Sequence, residues 1–245
     1  MVGRGELHVY PDAATLARAV ADLFARTADV AVAQRGAFHV ALSGGNTPRA
    51  TYELLAEEPL RDEIPWSSVF VYFGDERCVP PDDELSNYRM AEEAFLGKVP
   101  IPQANVHRIA GEVDPGHAAN EYASLLRTDF GNAPQFDLVM LGLGPDGHTA
   151  SLFPGASLET EAGSLVRAVY AQSQGMWRVT ITPAVINSAR NVAFAVEGPE
   201  KAQILAAVLE GPIDPVKYPA QIVHPSSGRL IWLVDESAAA MLKTR

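Results

Sequence analysis

Apolar residues along this chain fall into two rhythms. Short unbroken apolar runs alternate with longer stretches in which apolar residues recur every three or four positions. The runs Phe38–Leu42, Val69–Phe73, Phe136–Leu141, Asn191–Val196 and Leu230–Val234 carry few polar interruptions. They read as strands buried on both faces, the mark of a parallel sheet. Leu7–Tyr10 and Val106–Ile109 are shorter strand candidates. Between them the spacing predicts helices. One runs from an Asp12 cap to about Gln34, with Leu16, Ala19, Val20, Leu23 and Phe24 on one face. Others run from Pro48 to about Glu57, from a Ser86 cap to about Leu96, over Asp114–Phe130, from Thr182-Pro183 to Ser188, and from Pro199 to Leu209. Leu165–Tyr170 and Trp177–Ile181 alternate polar and apolar, and read as an antiparallel pair at one end of the sheet. Strands alternating with helices predict an α/β fold: a Rossmann-like, doubly wound, mostly parallel sheet with helices on both faces and a small antiparallel addition. No repeat or linker divides the pattern, so residues 1–245 are expected to form one domain.

Three strands deliver loops with chemical content to one edge of that sheet, where open α/β sheets bind ligands. The run Phe136–Leu141 breaks into Gly142, Gly144, Pro145, Asp146 and Gly147, with His148 directly after. Phe38–Leu42 delivers Ser43-Gly44-Gly45-Asn46-Thr47-Pro48, glycines and hydroxyls at a helix start. Such a start suits an anion by geometry and dipole, and serves equally as an ordinary strand-to-helix turn. Val69–Phe73 leads to Gly74-Asp75-Glu76-Arg77, which reads as a charged loop level with the other two. Lys201, in the first turn of the helix after Asn191–Val196, opposes the helix dipole; a bound anion would explain it, and so would solvent exposure.

Gly142, Gly144 and Gly147 also fit the dinucleotide pattern G-x-G-x-x-G. That pattern should open a long helix, with an acid about 20 residues on. Here Pro154 and Gly155 cut a helix short, no acid-tipped strand follows at that distance, and Pro145 lacks an N–H to offer a pyrophosphate. A nicotinamide cofactor is not expected, and no Walker lysine follows the Ser43 loop.

Composition narrows the field further. Lys plus Arg total 19 against 30 Asp plus Glu, a net charge of -11. An acidic chain without basic clusters argues against nucleic acid or an anionic membrane as partner. A phosphorylated substrate would need a local basic pocket. Cys78 is the only cysteine, which excludes an intrachain disulfide and suits a reducing compartment. No apolar stretch has the length of a membrane span and MVGRGELHVY has no signal-peptide core, so a cytoplasmic protein is expected.

Several chemistries have no motif here. There is no G-x-S-x-G elbow, no motif marking Cys78 as a nucleophile, no H-E-x-x-H and no paired-cysteine metal spacing. His8, His39, His107, His117 and His224 carry no motif and read as surface or packing residues. His148 differs, because it lies in a glycine-rich loop beside Asp146, and an imidazole with a carboxylate partner can take a proton from water and return it. Arg77, Arg178 and Lys201 could hold a phosphate or stabilise an oxyanion. Read from the residues, this is a metal-free acid/base enzyme for a phosphorylated small molecule.

Four segments in order, ALSGGNTP (Ala41–Pro48), FGDERCVP with SNY (Phe73–Tyr88), LGLGPDGHTASLFPG (Leu141–Gly155) and RVTITPAVIN (Arg178–Asn187), together with GPEKA (Gly198–Ala202), resemble the 6-phosphogluconolactonases. The resemblance implies hydrolysis of 6-phospho-D-glucono-1,5-lactone in the pentose phosphate pathway without metal or organic cofactor. It implies His148 as general base, Asp146 as its orienter and Arg77 as oxyanion stabiliser. Ser43, Gly44, Gly45 and Thr47 would carry the phosphate with Lys201 and Arg178, and Asp75 would meet sugar hydroxyls. The partner expected is the phosphosugar lactone alone, with the chain a monomer. Two alternatives share the scaffold. Glucosamine-6-phosphate deaminase has D-E-Y and G-H-I-A-F-N-E-P where this chain reads Asp75-Glu76-Arg77 and Gly147-His148-Thr149-Ala150-Ser151-Leu152-Phe153-Pro154, so the acid of its proton relay is missing. A non-catalytic sugar-phosphate-binding module would have no use for both His148 and Asp146.

Overall fold

A computed structural model describes residues 5–155 and 163–243. Seven parallel strands form the main sheet: β1 (Glu6–Tyr10), β2 (Phe38–Leu42), β3 (Val69–Phe73), β5 (Val106–His107), β6 (Leu138–Leu141), β9 (Asn191–Val196) and β10 (Arg229–Asp235), in the order β1-β10-β9-β6-β2-β3-β5. The helices are α1 (Ala13–Arg35), α2 (Asn46–Leu55), α3 (Leu60–Glu63), α4 (Asn87–Ala91), α5 (Pro115–Phe130), α6 (Pro183–Ser188) and α7 (Ala202–Glu210). From β2 the chain winds outward through β3 and β5, then returns to place β6 on the other side of β2. The order reverses between β2 and β6. The crevice beyond their carboxyl ends is where a doubly wound sheet accepts a ligand.

The helix starts follow from their capping residues. The Asp12 carboxylate accepts from the Thr15 N–H and the Asp114 carboxylate from the His117 N–H, each satisfying a first-turn donor. Gly36, at φ 79°, ends α1 in the left-handed conformation that glycine adopts without a Cβ penalty. Leu16, Val20 and Phe24 of α1 are fully or almost fully buried, as their helical spacing requires. All four residues of β6 are buried, and β9 buries Val192 through Val196.

The Ser86-capped helix reaches Leu96 as expected, α-helical to Ala91 and with wider π winding beyond it. Three expectations need correction. Helix α2 begins at Asn46 with Gly45 as its cap, so Pro48 is its third residue, not its first. The strand read over Val106–Ile109 is confined to Val106–His107. The alternating pair, β7 (Val166–Ala171) and β8 (Met176–Ile181), does not extend the main sheet. It forms a separate antiparallel sheet with β4 (Asp75–Arg77), in the order β4-β8-β7. Asp75-Glu76-Arg77 is therefore a strand and not a solvated loop, because Thr180, Val179 and Arg178 of β8 satisfy its backbone.

Candidate active site

A cleft of about 240 Å³ opens at the reversal point, between the loop after β2, the loop after β6, the small sheet and the start of α7. Of the residues singled out in the sequence, Ser43, Gly44, Gly45, Asp75, Arg77, His148, Arg178 and Lys201 line it. Thr47 lines an adjoining chamber of about 260 Å³, which shares Gly44, Gly45 and Lys201 with the first. Asp146 is set behind His148, facing a neighbouring depression.

The loop after β6 is a tight turn. The Gly147 N–H donates to the Gly144 carbonyl and the Gly144 N–H to the His148 carbonyl. Pro145 occupies the second position of that turn and Gly147 the fourth, at φ 84°, the places these residues favour. The Thr149 hydroxyl closes the loop on the Gly142 carbonyl at 2.8 Å. Among the described residues no helix follows before Gly155, so the glycine string serves a turn and not a dinucleotide. The turn brings the Asp146 carboxylate to 2.5 Å from His148 Nδ1, and Asp146 also accepts the His148 backbone N–H at 3.1 Å. Burial alone would raise the Asp146 carboxyl. The adjacent imidazole and its hydrogen bonds outweigh that and hold it below the usual carboxylate value. A carboxylate at Nδ1 places the ring proton there and leaves the Nε2 lone pair free to accept one. Phe153 packs on the ring at 4.8 Å, and a Cβ on Gly144 would lie 2.0 Å from Nδ1. Only glycine lets the imidazole sit there.

The loop after β2 is fixed from below by Tyr52, whose hydroxyl accepts the Ser43 N–H and donates to the Ser43 carbonyl. The first turn of α2 has no side-chain cap, and its residues Asn46, Thr47 and Pro48 line the chamber together with Lys201. Lys201 stands at the cap position of α7 after a short 3-10 turn, Pro199–Lys201.

The small sheet supplies the remaining wall. Arg77 and Arg178 are direct cross-strand partners, so both project on the same face. Burial pushes the Arg178 guanidinium below its usual pKa; Asp75 opposes that shift and Arg77 adds to it. The Asp75 carboxylate, itself 5% exposed, accepts from Ser151 Oγ at 2.6 Å and lies 3.5 Å from Arg178 Nη1. It is thus a structural member of the wall as well as a surface of the cleft. Four lining residues carry a buried polar atom with no protein partner: Ser43 Oγ, Arg77 Nε, Asn87 Oδ1 and Arg178 Nε. Native proteins satisfy such atoms, and their concentration here marks a place completed by ligand or water.

Two lining residues escaped the sequence reading. Gln174 reaches the cleft from the β7–β8 hairpin and accepts a hydrogen bond from Arg178 Nη2. Asn87 was legible only as a helix start, yet its Nδ2 donates to the Asp75 carbonyl at 2.8 Å. No sequence signal marks Gln174, because it lies in an ordinary turn. Cys78 is no nucleophile in this arrangement: burial pushes its thiol up to about 11. His39 and His107 stack in an aromatic cluster with Phe70, Tyr72 and Phe130, as expected of packing residues. Among the described residues no group of three or more His, Cys, Asp or Glu side chains could hold a metal ion, and no helix is long and apolar enough to cross a membrane.

A parallel sheet with its order reversed above a histidine–carboxylate pair, a glycine-rich helix start and paired arginines defines a class: a doubly wound α/β protein with a polar, arginine-walled cleft at its reversal point. Comparison with known proteins makes this specific. Residues 11–232 match the family of glucosamine-6-phosphate isomerases and 6-phosphogluconolactonases, and the chain belongs to it. A 6-phosphogluconolactonase of Synechocystis is 43% identical over 218 residues, 87% of this chain and 88% of its own length. The structure of 6-phosphogluconolactonase from Trypanosoma cruzi superposes with a TM-score of 0.87 at 29% identity, covering 99% of this chain and 98% of that one. A monomeric glucosamine-6-phosphate deaminase superposes with a TM-score of 0.84 at 20% identity, over 96% of this chain and 99% of its own, which shows a common fold alone.

Proposed function

We propose that this protein hydrolyses 6-phospho-D-glucono-1,5-lactone to 6-phospho-D-gluconate, with His148 as general base. The observation that carries this reading is the 2.5 Å contact of Asp146 with His148 Nδ1, at a cleft walled by Arg77, Arg178 and Lys201. In the scheme, Nε2 takes a proton from water as its oxygen attacks the lactone carbonyl. Negative charge develops on the carbonyl oxygen, and Arg77 stabilises it. The intermediate collapses with cleavage of the bond to the ring oxygen, which takes the proton back from His148. Asp146 holds the ring in the required tautomer and stabilises the imidazolium between the two steps.

The substrate phosphate rests on Ser43, Gly44, Gly45 and Thr47 at the uncapped start of α2, with Lys201 beside it and Arg178 extending the positive field. Asp75 sets Arg178 and meets the sugar hydroxyls. No step uses a metal or an organic cofactor. The scheme serves the oxidative pentose phosphate pathway, and a monomeric cytoplasmic protein fits it.

A deaminase would need an acid after the histidine, where this chain has Leu152, which is fully buried, and Phe153, packed on the imidazole. The decisive experiment offers purified protein the lactone, generated in place, and glucosamine 6-phosphate in parallel. Turnover of the lactone well above its spontaneous opening, with none of the amino sugar, is expected. The opposite preference would overturn the proposal.

A further inference from the structure

Glu76 lies between two residues given roles above, Asp75 and Arg77, and takes part in no step. It is 2% exposed, and its carboxylate points away from the cleft, since strand neighbours face opposite sides. Four donors surround it. Oε1 accepts the Arg77 N–H at 2.8 Å and the Asn87 N–H at 2.7 Å; Oε2 accepts the Tyr88 N–H at 2.8 Å and the Ser86 hydroxyl at 3.0 Å. A carboxylate offers about four lone-pair sites, so this one is full and has none left for a substrate.

Those four bonds join the two points that hold Arg77. One is the Arg77 backbone. The other is the segment running from Leu85 into α4, where the Leu85 carbonyl accepts from Arg77 Nη1 at 2.6 Å. The same segment carries Asn87, whose amide holds Asp75. The arginine that faces Arg178 across the sheet is thus tethered at both ends to a single buried carboxyl, which burial pushes above its usual pKa against the pull of those four donors. Helix capping alone does not account for this. Ser86 already caps α4 through the Arg89 N–H at 3.1 Å.

We propose that Glu76 is a positioning residue of the reaction: it fixes the Arg77 guanidinium at the cleft by clamping the Arg77 backbone and the Leu85–Tyr88 segment together. This rests on the lactonase reading for the step affected, but the clamp itself does not. Replacing the carboxylate by an amide keeps the shape and turns one acceptor into a donor facing N–H groups, so the clamp opens.

The test is a double-mutant cycle on the purified full chain with Glu76→Gln, Arg77→Ala and the double variant. It reads kcat and KM on the lactone, and the Kd of 6-phosphogluconate by calorimetry, with circular dichroism to verify folding. Glu76→Gln is expected to lower kcat/KM by about tenfold or more, the value of a hydrogen bond to a charged group. In the Arg77→Ala background the same change should cost under about twofold, because the group through which it acts is gone. Glu76→Asp, which keeps the charge on a shorter arm, carries the same cycle if the glutamine variant does not fold. Equal losses in both backgrounds, or unchanged constants in a folded Glu76→Gln, would overturn the proposal. A wild type without turnover would remove the lactonase reading, and the cycle would then be decided on Kd by the same criterion. A wild type that binds no 6-phosphogluconate would overturn both.

Discussion

The two sheets of this molecule differ in what they bury. The parallel sheet buries hydrocarbon. Phe194 of β9 and Trp232 of β10, register partners, stack with ring centres 3.9 Å apart, and both are almost fully buried. The small sheet buries charge: Asp75, Glu76 and Arg178 all lie at 6% exposure or less. Apolar packing adds stability roughly in proportion to area and tolerates replacement by groups of similar volume. A buried ionic network gains little over apolar packing and collapses when one member is removed, since the partner is left uncompensated. Apolar burial in the first sheet is therefore the larger source of stability, and under the proposed function the second holds the arrangement at the mouth of the cleft.

Substitutions can break that division. Phe194→Ala should produce the largest effect on stability, about 3–5 kcal/mol from lost transfer energy and the cavity left behind. The folded fraction should keep its kcat and KM, as denaturant unfolding and steady-state kinetics would show. Gly144→Ala should do the reverse. The new methyl would stand 2.0 Å from His148 Nδ1, so the imidazole must shift, and a misplacement of that order costs about 100-fold in kcat. Its melting temperature should fall only slightly.

The smallest effect expected is one of pH, in the parallel sheet. Burial holds His39 and His107 below the usual imidazole value, against the opposing charges of Asp137 and Asp129 on the first and Asp129 on the second. The unfolded chain then binds protons more readily than the folded one. Stability is complete above about pH 6.5 and is lost as the pH falls through the folded values. Melting temperatures between about pH 7.5 and 5 should decline, and His39→Phe, which suits the surrounding rings, should flatten the decline. An unchanged slope would assign the pH dependence elsewhere.

The parallel sheet was legible in the sequence because burial on both faces demands uninterrupted apolar runs, and the helix from the Asp12 cap to about Gln34 because that cap and the apolar spacing agree. His148 and Asp146 were legible through the turn that presents them. The small sheet was not. Asp75-Glu76-Arg77 has the composition of a loop, and only pairing with β8, a hundred residues later in the chain, makes it a buried strand. Glu76 was invisible for the same reason: its partners at Ser86, Asn87 and Tyr88 are set by tertiary geometry, not by local pattern. Pro48 misplaced the start of α2 because proline is tolerated throughout a first turn, where no intrahelical N–H bond is required.

The most direct test of the whole account is lactone hydrolysis by wild type and His148→Ala, with spontaneous opening subtracted from each. Loss of the base should lower kcat by about 10²- to 10⁴-fold, the usual contribution of a positioned proton-transfer group, with the fold intact by circular dichroism. A folded His148→Ala that hydrolyses the lactone at nearly the wild-type rate would contradict it.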